Sequence, residues 1–139
     1  VSSPDPPLRI ILVVDDEPGV RRLACQMLQR EGFKTIEAET GRQALAALVS
    51  HPGRISLVVS DVRMPEMNGL ELEQAIREEW PALPVILISG EITREWVLRL
   101  VREVPLRLLR KPFEQGELME KVRELLGESV RRDEKPHIG

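Results

Sequence analysis

Tyrosine is absent from this 139-residue chain, and two Phe and two Trp are its only aromatic residues. Cysteine is nearly absent too. The single Cys25 excludes an internal disulfide framework, and with His51 and His137 it does not make up the four ligands of a structural zinc site. Long apolar runs are missing: the densest, Ile10–Val14, falls far short of the ~20 residues that cross a bilayer. No charged-then-apolar stretch opens the chain, so a cytoplasmic setting and no membrane attachment of its own are expected. Strong charge of one sign is also lacking. The net charge of −3 gives no general reason to expect direct nucleic-acid binding. Neither G-x-G-x-x-G nor G-x-x-x-x-G-K-[ST] occurs, which disfavours nucleotide binding. What is present, 42% hydrophobic and 31% charged residues, suits one globular domain.

The ends differ from the middle. Residues 1–7, VSSPDPP, read as an extended lead-in, and residues 128–139 read as a charged C-terminal tail. That leaves 8–127 as the domain. Inside it, short β-branched runs alternate with helical patterns. Strands are expected at 10–14, 33–38, 57–60, 84–88 and 106–109. Between and after them, helices are expected from Pro18 to Gly32, from a capping box at Thr40 and Gln43, and over 69–80, 93–104 and 115–126. Val20, Leu23, Met27 and Leu28 supply the apolar stripe of the first helix. Five βα units predict an α/β fold: a five-stranded parallel sheet with helices on both faces and right-handed crossovers. In a flavodoxin-like (βα)5 arrangement the strand order is 2-1-3-4-5, and ligands bind beyond the carboxyl ends of the strands.

Those strand ends carry the chemistry-bearing residues. The first delivers Asp15 and Asp16, the third Asp61, the fourth Ser89 and the fifth Lys111. The second delivers Glu37 and Glu39 without a similar cluster. With the first and third strands adjacent, three carboxylates converge and repel one another. A hard divalent cation relieves this, and Mg²⁺ favours one or two carboxylates together with a phosphate oxygen. Lys111 can neutralise a phosphoryl oxygen and Ser89 can donate to another, which completes the parts needed for phosphoryl transfer onto a carboxylate. Taken singly, Asp15-Asp16 reads equally as a helix cap, Lys111 as a solvated lysine and Ser89 as a turn residue. Their concurrence on four strand ends favours the functional reading.

VVDDEP, SDVRMPEMNG, LISG and RKPF, in this order and spacing, resemble the receiver domain of two-component response regulators. The similarity covers about 8–127, and the order 2-1-3-4-5 is itself this family's, a chemotaxis receiver being a standard example. The resemblance implies a phospho-acceptor module, not an enzyme in its own right. Asp61 would take the phosphoryl group from a histidine kinase or a histidine phosphotransfer protein. Asp15 and Asp16 would hold Mg²⁺ with Asp61 and the backbone carbonyl of Arg63. Ser89 would follow the phosphoryl group, Lys111 would pair with it, and Lys111-Pro112 would be cis.

One position departs from the family. Where Tyr or Phe usually acts as the aromatic switch, three residues before the lysine, this chain has Leu108. That puts the usual aromatic read-out in doubt, not phosphate acceptance. The stretch 94–111 holds six basic and two acidic residues and maps to the family's output surface, though a solvated face is the plainer reading. The runs at 32–48 and 121–127 resemble receivers joined to hybrid sensor kinases, which favours a longer hybrid kinase over a stand-alone regulator. The alternative is a small Mg²⁺-dependent phosphohydrolase with an aspartyl nucleophile. Enzymes of the haloacid-dehalogenase type place that nucleophile on the first strand with a second Asp two residues on, where this chain has Asp15 and Glu17.

Overall fold

The computed structural model of the chain describes residues 9–90 and 107–127. The expected N-terminal lead-in, the C-terminal tail, the helix at 93–104 and most of the basic stretch lie outside the described residues.

Five strands form one parallel sheet in the order β2-β1-β3-β4-β5. They are β1 (Ile10–Val14), β2 (Lys34–Ala38), β3 (Ile55–Asp61), β4 (Val85–Ser89) and β5 (Leu108–Arg110). Four helices are described: α1 (Pro18–Arg30), α2 (Gly41–Ser50), α3 (Gly69–Glu79) and α4 (Gln115–Leu126). Alternation along the strands divides the apolar side chains into two cores, because neighbouring residues point to opposite faces. Ile11, Val13, Leu57, Val59, Ile86 and Ile88 pack with Ala24, Leu28, Leu118 and Val122 of α1 and α4. Leu12, Val14, Val58, Val85 and Leu87 pack with Ala44, Leu48, Leu72 and Ile76 of α2 and α3. Helices therefore cover both faces, and the central strands are apolar on both sides, as a sheet of this kind requires.

Several element edges differ from the sequence expectation. β3 begins two residues earlier, at Ile55, because Ile55 pairs with Ile10 across a register irregularity in β1. β5 is displaced to Leu108–Arg110, where it pairs with Leu87 to Ser89. In α1 the buried residues are Ala24, Cys25, Met27 and Leu28, whereas Leu23 is half exposed. The stripe is thus turned by about one position from the predicted one. Thr40 accepts from the Gln43 N–H at 3.1 Å, but the Gln43 side chain reaches the Glu39 N–H rather than closing the box on Thr40. A full capping box does form at α3, between Asn68 and Glu71. Cys25 is buried in the core with its thiol pushed up by that burial, and Trp80 packs half-buried against the α2/α3 core.

Candidate functional site

All four strand ends that bear candidate residues meet at one edge of the sheet. β1 runs straight into Asp15, whose N–H donates to the Ala38 carbonyl at 3.1 Å, so the strand pairing continues to the first carboxylate. The Asp15 Oδ1 then accepts from the Glu17 N–H at 2.9 Å, a side-chain turn that leads into Pro18 at the start of α1. Asp61 is the last residue of β3, and Val62 N–H donates to the Ile88 carbonyl at 2.9 Å. Ser89 ends β4, and the Lys111 N–H bonds its carbonyl at 2.8 Å. The Lys111-Pro112 peptide is cis.

The side chains converge accordingly. Carboxylate oxygens of Asp15, Asp16 and Asp61 all lie within 4.8 Å of one another. Lys111 Nζ sits 2.9 Å from Asp61 Oδ1 and 3.6 Å from Asp15 Oδ2. Asp15 and Asp61 are buried, Asp16 is exposed, and an open cleft of about 480 Å³ lies over them. The cleft is lined by Asp16, Glu17, Asp61, Arg63, Ser89, Gly90 and Lys111. Burial pushes both the Asp15 and Asp61 carboxyls above the ordinary aspartate range. The Glu17 N–H opposes this at Asp15, Lys111 opposes it at both, and the neighbouring carboxylates reinforce it. Burial alone would lower Lys111, but the hydrogen bond to Asp61 and the charge of Asp15 outweigh it and hold the ammonium above its usual value.

One ammonium cannot balance three carboxylates. An all-oxygen donor set with a surplus of negative charge, half open to water, fits a hard divalent cation that keeps several waters. The structure thus brings together Asp15, Asp16, Asp61, Ser89, Arg63 and Lys111, all anticipated from sequence. Glu17 and Gly90 also line the cleft and were not anticipated. Glu17 could have been found as the residue directly after the acidic pair, and Gly90 as the one after Ser89. Glu37, at the end of β2, turns instead to Arg21 at 2.8 Å. Leu108 lies half-buried against the α2/α3 core beside Leu87, on the strand that leads to Lys111.

Residues 11–123 match the response regulator receiver domain family. The chain belongs to that family. Over 116 residues it is 34% identical to the sensor kinase CckA of Brucella abortus, covering 84% of this chain and 12% of that protein. It is 36% identical over 123 residues to the C4-dicarboxylate transport transcriptional regulatory protein DctD of Pseudomonas aeruginosa, covering 88% of this chain and 26% of that one. The chain therefore spans only a small part of these relatives. Among solved structures, the CheX-CheY-BeF3-Mg²⁺ complex from Borrelia burgdorferi aligns with a TM-score of 0.78 at 26% identity, covering 85% of this chain and 89% of that one. The receiver is a signalling module of two-component systems, and the strand order of the sheet is the one the resemblance implies.

Proposed function

We propose that Asp61 accepts a phosphoryl group from a phosphohistidine of a kinase or phosphotransfer protein, in a reaction that depends on Mg²⁺. The observation that carries this reading is the convergence of Asp15, Asp16 and Asp61 around Lys111 at the carboxyl edge of the sheet. A carboxylate oxygen of Asp61 attacks phosphorus. The P–N bond breaks, its electron pair stays on the imidazole nitrogen, and an acyl phosphate forms at Asp61. Lys111 leaves its bond with the carboxylate to pair with a phosphoryl oxygen, and Ser89 donates a hydrogen bond to another. Asp15, Asp16, Asp61 and the Arg63 carbonyl would hold the cation, which when bound would neutralise charge on the phosphoryl oxygens. Domain limits of 8–127 enclose every one of these residues.

The similarity to a sensor kinase supports a place within a hybrid kinase, and the similarity to a transcriptional regulator supports a DNA-directed output in the parent chain. The phospho-acceptor is tested by mass spectrometry after incubation with acetyl phosphate and Mg²⁺. Wild type should gain one phosphoryl group, and Asp61→Asn and the EDTA-treated protein should gain none. Undiminished labelling of Asp61→Asn would remove Asp61 from the role. Sustained release of inorganic phosphate, with Asp15 rather than Asp61 labelled, would point to the hydrolase reading instead.

A further inference from the structure

Arg21 lies on the first turns of α1 and its side chain is only 13% exposed. Its guanidinium makes two bonds that face different elements. One nitrogen, Nη1, donates to the main-chain carbonyl of Asp15 at 2.7 Å, and Nε donates to Glu37 Oε1 at 2.8 Å. Asp15 is therefore held at three points: its N–H by Ala38 of β2, its carboxylate by the Glu17 N–H, and its carbonyl by Arg21. The first and third holds both lead to β2, the strand that contributes no side chain to the cleft. The contact that Arg21 makes with Asp15 is to the main-chain carbonyl. Its hold on the acidic pair thus runs through main-chain geometry.

From this geometry we infer that Arg21 is a positioning residue for the metal-binding acidic pair, fixed in turn by Glu37, so that the edge of β2 sets the placement of Asp15 and Asp16. The inference rests on the Mg²⁺ site proposed above. Residues that orient ligands from behind typically affect metal affinity by about 10–100-fold. A planar fork that satisfies two acceptors at fixed angles cannot be replaced by an ammonium, which keeps the charge and loses the geometry.

The test is calorimetric titration with Mg²⁺ alone, on protein verified as folded by circular dichroism and thermal melting. Wild type should bind, and Asp16→Asn should not; if the two behave alike, the metal site itself is misassigned. Given that contrast, Arg21→Ala and Arg21→Lys should both raise the Mg²⁺ Kd about tenfold. Glu37→Ala should raise it less, because one anchor of the guanidinium remains. Phosphorylation of the Arg21 variants should recover at saturating Mg²⁺, which a general loss of fold would not allow. Folded Arg21 variants that bind Mg²⁺ within about twofold of wild type would overturn the inference. So would Arg21→Lys matching wild type while Arg21→Ala does not, since that would make charge the cause. Should Arg21→Ala fail to fold, Arg21→Lys and Glu37→Ala decide by the same criterion.

Discussion

At Gly69 a single methyl group would meet main chain rather than side chain. A Cβ there would lie 2.4 Å from the Asp61 carbonyl oxygen and 2.8 Å from the Val62 Cα. The Gly69 N–H also donates to the Val62 carbonyl at 2.8 Å, so the start of α3 is pinned to the strand end that carries Asp61. Neither backbone can give way as a flexible side chain would. Gly69→Ala should cost about 1–3 kcal/mol in urea unfolding and slow acetyl-phosphate labelling of Asp61 tenfold or more, since roughly 1 Å of misplacement can cost ~10²-fold. Unchanged labelling would mean that the strand end tolerates the shift. The carboxyls themselves set a pH dependence. Burial raises Asp15 and Asp61 in the folded chain above 3.8, so between that value and their folded values the native state binds more protons than the unfolded one. Their contribution to stability therefore falls as pH rises through that window. Lys111 acts far above it: its contribution is full below 10.5 and is lost as pH climbs through its raised folded value. In EDTA, the stability of Asp61→Asn relative to wild type should increase from about pH 4 to about pH 8. Mg²⁺ at 100 times its Kd should stabilise wild type by about 2.7 kcal/mol, and Asp61→Asn by less. A flat difference across pH would show that Asp61 carries no burial penalty.

Helices differ in how much their glycines matter. Gly116, in the first turn of α4, has nothing within 4 Å of the place a Cβ would occupy and does not need a left-handed backbone. Gly116→Ala should therefore stabilise the protein by a few tenths to about 1 kcal/mol in thermal melts; destabilisation would show a contact that the geometry does not contain. The same distinction between local and tertiary causes explains what could be read from the chain. β1 and α1 were legible because a β-branched run stops at an acidic pair and Pro18 starts the helix, both local signals. The α1 stripe was misplaced at Leu23 because burial depends on how the helix rolls on the sheet, and several registers satisfy a 3.6-residue period. The start of β3 at Ile55 was hidden because its pairing with Ile10 is non-local. The candidate site was legible nearly whole, since each of its residues lies at or just beyond the carboxyl end of a strand. Arg21 was not, because its partners sit on β1 and β2, and only the finished sheet brings those ends together.

The described residues form one sheet between two separate cores, and a signal starting at Asp61, as proposed, has to pass β4 to reach β5. Lys111 and Ser89 form the described route: Lys111 follows β5, and Ser89 pairs with Arg110. At the family's switch position β5 carries Leu108, half-buried against the same core as Leu87 and Val62. Leucine has no hydroxyl with which to hold an exposed rotamer in water, and its aliphatic surface favours the core in both states. A two-state switch responds only to a difference in interaction free energy between the states, and a change in ratio of 10⁴ needs about 5.5 kcal/mol. Fully burying a leucine that starts half-buried yields only part of the roughly 1.5–3 kcal/mol its complete burial provides. Leu108 alone therefore cannot drive such a change. With Mg²⁺ and beryllofluoride bound as a phosphoryl mimic, amide chemical shifts should move strongly around Asp61, Ser89 and Lys111 and only slightly at Arg107, Leu108 and Leu109. Leu108→Tyr should enlarge the shifts at these β5 positions, because a ring with a polar tip has distinct buried and exposed rotamers to choose between. Shifts at Leu108 in the wild type as large as those at Asp61 would show that the strand switches fully without an aromatic ring.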